Sequence, residues 1–409
     1  MKKLTWLLAA PFLISNVYAA DLMQVYRDAI DNDPTFSAAR STLDAGREKT
    51  PQARAGLLPS LTLSGNTVWN ENEIAFRGGN TLAKPNFNSN GYNLALTQPL
   101  FRWQNWVGYD QSKLQVVQAE ANFIQARQDL ILRVAQAYFD VLLAEENTRS
   151  LLKQLTAINQ QLEQAKAYFE VGTATITDTH EAQARYDLVI AQEIAAENDL
   201  RVKSLALSQL VGKQDAAPKP LQAPVVLAPV APSDIGQWVV QSQDNHPGIK
   251  QLGVALDVAK LETQKAEAGH KPTVDLTGSY STVNNNGSST GLGDSRINVA
   301  TLGVSLNLPL FAGYSIQNRV KETLALEDKA RADLEATQRA VAQGTRTAFF
   351  GVQSGQAQVK ALEAAESSSQ LALEATQLGY KVGVRVNLDV LNAQTQLYST
   401  QRDLATQMQ

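Results

Sequence analysis

The side chains that could perform catalysis or bind a metal are few and scattered in this sequence of 409 residues. Cysteine is absent, and the three histidines, His180, His246 and His270, lack metal-ligand spacing. The paired carboxylates Glu145 and Glu146 lie in a helical pattern, where a solvated charge is the ordinary state. No phosphate-binding loop, dinucleotide fingerprint or serine-nucleophile motif occurs. From the sequence we therefore expect that the protein has no catalytic residue, binds no metal or cofactor and is not an enzyme.

Composition and the first residues limit the partners and the compartment. The formal net charge of −4 gives no basic surface for nucleic acid. Met1–Lys3 precede an apolar run, Leu4–Val17, which is followed by small residues typical of a signal-peptidase cleavage site. We therefore expect a signal peptide over residues 1–19, cleaved after Ala19 or Ala20. The alternative, a membrane anchor, is disfavoured because the run is too short to span a bilayer. An exported chain without cysteine has neither disulfides nor a lipid-bearing cysteine.

The sequence segments that would position any functional residue occur as an internal repeat. Phe169–Gln183 returns as Tyr380–Gln394, and each copy has Val-Gly, a few mostly β-branched residues and then an aspartate. Both copies predict a long helix ending at glycine, a short turn, and a new helix with a carboxylate in its first turn. Four more pairs repeat at a similar displacement: Asn32–Pro34 with Asn245–Pro247, Ala55–Gly65 with Ala268–Gly278, Leu94–Phe101 with Val304–Phe311, and Ala137–Val141 with Ala348–Val352. The chain is predicted to contain one unit twice, over residues 20–212 and 233–409.

Each repeat combines helices with two strands that alternate apolar and polar residues. A helix from Pro34 to Gly56 precedes the first strand. The strands are predicted at Leu61–Trp69, Tyr92–Leu96, Val274–Tyr280 and Leu302–Leu308. About ten residues suit a transmembrane β-strand, yet about eight strands are needed to close a barrel. Two subunits would supply about eight strands and three about twelve, and the sequence admits both. An ordinary antiparallel sheet with one wet face is the alternative.

The remaining stretches are predominantly helical. Trp103–Val171 contains no proline and predicts one very long helix, with a returning helix from Asp178 to Gly212 and a second long helix over Tyr314–Val382. Apolar residues recur there at coiled-coil spacing: Leu151, Leu155, Ile158, Leu162, Ala165 and Phe169. The proline-rich residues 213–232 predict an extended linker between the repeats. Because the last helix is shorter than its counterpart in the first repeat, we expect the chain to be truncated at its C-terminus.

These features together resemble the TolC family of outer-membrane efflux and export channels. The resemblance covers essentially the whole mature chain and includes the Pro-Leu-Phe strand ends, Pro99–Phe101 and Pro309–Phe311. The most specific matches are Ala137–Leu142, Ile176–Asp178 and Gly379–Arg385. Without a cysteine to acylate, the chain does not resemble the lipidated branch of the family.

The resemblance implies a mainly α fold with a β-barrel contribution. Three subunits would pool four strands each into a twelve-stranded barrel in outer-membrane lipid, and their long helical hairpins would form a periplasmic tunnel. The loops at residues 70–91 and 284–295 would face the exterior. This homotrimer would be the passive exit duct of a tripartite efflux pump or a type I secretion system, acting with a periplasmic adaptor and an inner-membrane efflux pump or ABC exporter. The alternative is a soluble periplasmic coiled-coil scaffold or adaptor, although an adaptor's lipoyl-like β-domain is not evident.

The resemblance also assigns roles to residues at the two bends. Asp178, Tyr380 and Arg385 match a tie that holds the entrance shut, and an Arg–carboxylate contact is strong yet breakable. Asp389 matches a carboxylate that rings the narrowest point and attracts cations. Asn392 stands where the family often has a second Asp, which halves the formal charge of this constriction. The tips match the sites on which adaptor hairpins dock: Val171, Gly172, Thr173, Val382, Gly383 and Val384. From the residues alone, these would be caps and surface groups.

Overall fold

The computed structural model describes residues 20–71, 86–213, 217–221, 227–287 and 293–408. The predicted signal peptide and parts of the predicted linker and outer loops lie outside these residues. The chain divides into two compact units. Unit 1 contains the described residues up to Ala39, Gln125–Ser242 and those from Ala342 onward, and unit 2 contains Arg40–Ile124 and Gln243–Val341. Each unit therefore includes segments of both sequence repeats.

Helices account for most of the described chain. They are α1 (Leu22–Asn32), α2 (Pro34–Arg47), α3 (Lys49–Ala55), α4 (Trp103–Glu170), α5 (Ile176–Val211), α6 (Ile235–Asn245), α7 (Pro247–Glu267), α8 (Ser315–Lys381) and α9 (Asn387–Met408), with a 3-10 turn at Ala268–His270. The two longest, α4 and α8, have 68 and 67 residues and confirm the predicted helices over 103–171 and 314–382. The predicted mainly α fold class with four strands is also confirmed.

The predicted single helix from Pro34 to Gly56 is wrong in one respect. The structure has two helices there, separated at Glu48, which adopts φ −73° and ψ −8°. Pro51 explains the break, because its ring lacks an N–H and clashes with the carbonyl four residues earlier in a continuous helix. The helix therefore ends at Arg47 and restarts at Lys49, so that Pro51 falls in a first turn.

Unit 2 contains a four-stranded antiparallel sheet in the order β1-β2-β3-β4. The strands are β1 (Ser60–Glu71), β2 (Asn86–Phe101), β3 (Thr273–Asn285) and β4 (Ser295–Asn307), which confirms the four predicted strands and lengthens most of them. The central pair β2–β3 joins the two repeats, with Leu94 opposite Tyr280. The parts of the predicted outer loops over 72–85 and 288–292 lie outside the described residues.

One face of this sheet is apolar and uncovered in the single chain. Leu61 pairs with Leu96, Leu96 with Gly278, and Gly278 with Leu302, so these residues form one row across four strands. Leu61 is 65% exposed and Leu302 is 77% exposed. Because burial of leucine side chains is worth about 1.5–3 kcal/mol each, a row left in water is costly. An apolar environment or another chain must therefore cover this face.

The core of unit 1 lies where the long helices pack side by side. Leu151 and Ile158 of α4 pack against Val189 and Ala196 of α5, all of them buried. This contact confirms the predicted coiled-coil seam over most of its length. Its last member is wrong, because Phe169 is 43% exposed. Phe169 lies in the final turn of α4, beyond the last packed pair, and its backbone carbonyl accepts a hydrogen bond from the bend.

Candidate functional site

The first bend, between α4 and α5, is built from local capping interactions. The helix α4 ends at Glu170, and Gly172 adopts a left-handed conformation with φ +77°. The Thr173 N–H then donates to the Tyr168 carbonyl at 2.8 Å, which closes the helix end. Asp178 and Thr175 form a capping box at the start of α5, with the Thr175 N–H donating to the Asp178 carboxylate at 2.9 Å. The interactions that close α4 and start α5 are therefore local in sequence.

The second bend, between α8 and α9, repeats this geometry. Gly383 has φ +79°, and the Val384 N–H donates to the Gly379 carbonyl at 2.9 Å. Asp389 occupies the position of Asp178, and its carboxylate accepts the Val386 N–H at 3.4 Å. The valines of both tips are exposed: Val171 by 71%, Val382 by 65% and Val384 by 76%. Each bend thus presents a glycine next to at least one exposed valine.

The helix α9 is packed against helices on two sides. Leu391 is buried in a cluster with Leu162 and Ala165 of α4 and Ala182 of α5. Val390 and Leu397 are buried against Leu373 of α8, which makes α9 the element that joins the α4–α5 hairpin to α8. Asp389 and Asn392 lie on the opposite, more exposed face of α9.

A buried polar link connects α9 to the first hairpin. Asn387 is 1% exposed, and its side-chain oxygen accepts a hydrogen bond from the Gln161 amide of α4 at 2.6 Å. The Asn387 amide donates to the backbone carbonyl of Asp178 at 3.1 Å. Buried amides are stable only when their polar atoms are paired, so these contacts fix the position of α9 relative to the start of α5.

Tyr380 lies between the two bends. Its ring centroid is 6.0 Å from that of Tyr168, and its hydroxyl is buried without a hydrogen-bond partner in the described residues. Burial raises the pKa of Tyr380 above its usual value, and the nearby charge of Asp178 adds to the rise. The hydroxyl is therefore protonated at neutral pH and available as a donor to an acceptor that approaches it.

Arg385 and Asp178 contact different partners, and not each other, in the described part of the chain. Arg385 pairs with Asp389, four residues later, at 3.7 Å, while the Asp178 carboxylate serves the capping box with Thr175. Among the described residues no ion pair joins Arg385 to Asp178. Gly379 makes room for Arg385, because a Cβ at position 379 would lie 2.8 Å from the arginine Cγ. The structure therefore brings Tyr380 near Asp178 and Arg385 near Asp389.

Asn392 also contacts the first hairpin. Its amide oxygen accepts a hydrogen bond from the Arg185 guanidinium of α5 at 3.2 Å. The sequence comparison of the two repeats did not identify Arg185, Asn387 or Gln161 as functional. One signal was present, because Asn387 occupies the repeat position at which the first copy has the apolar Ile176.

The remaining candidate groups have structural roles or none. His246 caps α7, since its Nδ1 accepts the Gly248 N–H at 3.1 Å. Within the described ranges, no group of three or more His, Asp or Glu side chains is placed to hold a metal ion. None of the helices in the described part of the chain is both long and apolar enough to cross a membrane.

Comparison with protein families matches both repeats to one family. The family described as "Outer membrane efflux protein" matches residues 25–213 and 238–408. The two matched ranges together include both bends and all the predicted site residues. The gap between them falls within and just after the predicted linker.

Individual proteins are similar over nearly the whole chain. The outer membrane protein TolC of Vibrio cholerae serotype O1 is 32% identical over 394 residues, covering 96% of this chain and 88% of that protein. The alkaline protease secretion protein AprF of Pseudomonas aeruginosa is 30% identical over 408 residues, covering 98% and 84%. The solved structure of the outer membrane protein VceC of Vibrio cholerae has a TM-score of 0.78 at 20% identity, covering 94% and 92%, and shows the shared fold.

Proposed function

Because the chain belongs to the outer membrane efflux protein family, we propose that it is the passive exit duct of an efflux pump or a type I secretion system. It conducts substrates from an energised inner-membrane transporter, an efflux pump or an ABC exporter, to the exterior. Both uses occur among the similar proteins, as the names of the efflux protein BepC of Brucella suis and the protease secretion protein PrtF of Dickeya chrysanthemi indicate. Family membership favours the duct over a soluble periplasmic scaffold.

The observation that carries the proposal is the uncovered apolar row of the sheet. In a homotrimer, three copies contribute four strands each to a closed sheet in the outer membrane. The exposed Leu61 and Leu302 then face lipid, which removes the cost of leaving them in water. Closure also pairs the free edges of β1 and β4, which are the outer strands of the sheet in one chain.

The two bends form the periplasmic entrance in this proposal. Among the described residues, the buried and protonated hydroxyl of Tyr380 near Asp178 has no hydrogen-bond partner, so a small shift of the bend gives it an acceptor. Arg385 is 60% exposed, and together with Tyr380 it ties the second bend to Asp178 when the entrance is closed. These ties are charge-assisted yet partly solvated, so docking of a partner can break them at modest cost.

Asp389 forms the constriction of the duct, with Asn392 one turn later on the same face of α9. Three copies place three carboxylates around one narrow point, which favours cations. The exposed tips around Gly172 and Gly383 are the docking sites for the hairpins of a periplasmic adaptor. A glycine at each tip allows another backbone to approach closely, and no atom other than those of the glycine and its two chain neighbours lies within 4 Å of the Cβ position at either tip.

Planar-bilayer recordings test this function. Wild type, Asp389→Ala and the control Asp403→Ala, which alters an exposed carboxylate of the same helix, are purified in detergent and compared. We expect discrete channels of low conductance whose cation preference falls in Asp389→Ala but not in Asp403→Ala. A wild-type protein that fractionates without detergent and forms no channels would contradict the duct.

A further inference from the structure

Arg185 lies beside the proposed constriction residue Asn392 and adds a positive charge there. The resemblance assigned it no role. Its guanidinium Nη2 donates to the Asn392 side-chain oxygen at 3.2 Å, across the contact between α5 and α9. Arg185 is partly buried and lies between Ala182 and Val189, the buried residues of α5 one turn before and after it. The helix packing therefore holds this guanidinium next to the polar face of α9.

No carboxylate neutralises this guanidinium within the part of the chain that the structure describes. Glu181 lies four residues before Arg185 on α5, and among the described residues the contact of the Arg185 guanidinium is with Asn392 and not with Glu181. Asp187 accepts a hydrogen bond from Gln183 at 2.9 Å instead. Arg185 thus differs from Arg385, whose charge is compensated by Asp389 at 3.7 Å.

The identity of residue 392 is what preserves the charge. An aspartate there would form an ion pair with Arg185 and cancel it, whereas the neutral amide of Asn392 accepts the hydrogen bond without adding a negative charge. Near the second bend, Asp389 and Arg385 pair with each other, and Arg185 adds a further guanidinium beside Asn392. Charged side chains at a narrow, water-lined point control which ions enter.

We propose that Arg185 determines the charge selectivity of the duct: its uncompensated guanidinium opposes the cation preference of the Asp389 ring and admits anionic solutes. This inference rests on the proposed function, since it places Arg185 at the constriction of a trimeric channel. Asn392 is the positioning residue that holds the guanidinium there. An asparagine at 392 therefore does more than omit a negative charge, because it leaves the charge of Arg185 uncompensated beside the Asp389 ring.

Reversal potentials across a salt gradient test the proposal. Wild type is compared with Arg185→Gln, which removes the charge, Arg185→Lys, which keeps it, and Arg201→Gln, which removes an exposed charge elsewhere on α5. We expect the ratio of cation to anion permeability to rise at least about threefold in Arg185→Gln, because three unit charges act on one ion. Arg185→Lys and Arg201→Gln remain within about twofold of wild type.

A second variant, Asn392→Asp, separates charge from contact. In the wild-type background it forms an ion pair with Arg185, so we expect a smaller rise in cation preference than it produces in the Arg185→Gln background.

If wild type forms channels and Arg185→Gln has the same reversal potential, the role of Arg185 is overturned and the duct stays intact. Equal shifts in Arg185→Gln and Arg185→Lys would also overturn it, since a broken contact would then be the cause. Absence of channels in wild type would instead overturn the proposed function and this inference with it.

Discussion

Asn387 and Asp178 are joined by a hydrogen bond of 3.1 Å, from the buried side-chain amide of one to the backbone carbonyl of the other. The contact links the first turn of α9 to the first turn of α5, which are equivalent positions of the two repeats. Because Asn387 also accepts a hydrogen bond from Gln161, one side chain holds three helices together at the bends. The proposed entrance therefore depends on a residue that is almost fully buried within one chain.

We expect Asn387→Ala to loosen α9 from the first hairpin. The substitution leaves the buried Gln161 amide without its acceptor, and a buried unpaired polar group costs about 1–3 kcal/mol. Hydrogen exchange of peptides covering Asn387–Leu397 should be faster than in wild type. Asn392→Ala is the control, because it removes an exposed hydrogen bond of the same helix. Equal exchange in the two variants would show that the buried link does not hold α9.

The combined variant Tyr380→Phe and Arg385→Ser should raise single-channel conductance. It removes both donors that tie the second bend to Asp178 in the proposed closed entrance. Tyr380→Phe alone should not lower thermal stability, because the hydroxyl has no hydrogen-bond partner in the part of the chain that the structure describes. Tyr398→Phe, at a tyrosine of α9 whose pKa is raised by burial, is the matched control for conductance. An unchanged conductance in the combined variant would remove these residues from the gate.

The sequence predicted the bends well because their structure is local. Gly172 ends α4 with a positive φ, and Asp178 caps the first turn of α5, so both features follow from residues close to each other in the sequence. The four strands were also readable, since alternation of apolar residues along β1 reports directly on the two faces of a sheet. The break at Glu48 was missed because the prediction of one helix from Pro34 to Gly56 did not take Pro51 into account.

The contacts of α9 could not be predicted in the same way. Arg185 and Asn392 are more than two hundred positions apart, and so are Gln161 and Asn387. Their pairing depends on how α4, α5 and α9 pack, which no local pattern encodes. The sequence resemblance assigned Arg385 to Asp178, whereas the single chain pairs Arg385 with Asp389. The assigned tie stays a prediction for the assembled protein.

Asp33 should make the stability of unit 1 depend on pH at the acid end. It is 4% exposed, caps α2 through the Thr35 and Phe36 N–H groups and pairs with Arg133 at 2.6 Å. Burial opposes ionisation, but the hydrogen bonds from Arg133 and the backbone outweigh it and lower the pKa of Asp33 below its usual 3.8. Stability from a lowered carboxylate pKa is present above the unfolded value and is lost as the pH falls through the folded value.

We therefore expect Asp33→Asn to destabilise unit 1 by about 1–3 kcal/mol at neutral pH, and by less as the pH falls below about 4. Urea unfolding of the detergent-solubilised protein at both pH values measures this difference. Asp44→Asn changes an exposed carboxylate of α2, the helix that Asp33 caps, in its part that belongs to unit 2. Its partner Arg47 is also exposed, so this variant should have little effect at either pH. A deficit of Asp33→Asn that is the same at both pH values would show that the carboxylate charge is not responsible.

Gly172→Ala and Gly383→Ala should each destabilise their bend by roughly 1–2 kcal/mol. Both glycines adopt φ near +80°, at +77° and +79°, a conformation that an L-side chain reaches only with strain. No neighbouring atom lies within 4 Å of the added Cβ, so the cost comes from the backbone alone. Gly108→Ala is the control, because this glycine is helical within α4 with equal space around it, and alanine there should stabilise by about 0.5–1 kcal/mol. Thermal unfolding measures all three variants.

Because asparagine tolerates positive φ better than alanine does, Gly172→Asn and Gly383→Asn should recover part of the loss. If they recover stability but not export with a partner adaptor, a side chain at the tip blocks docking; if they recover both, the glycines serve only the turn.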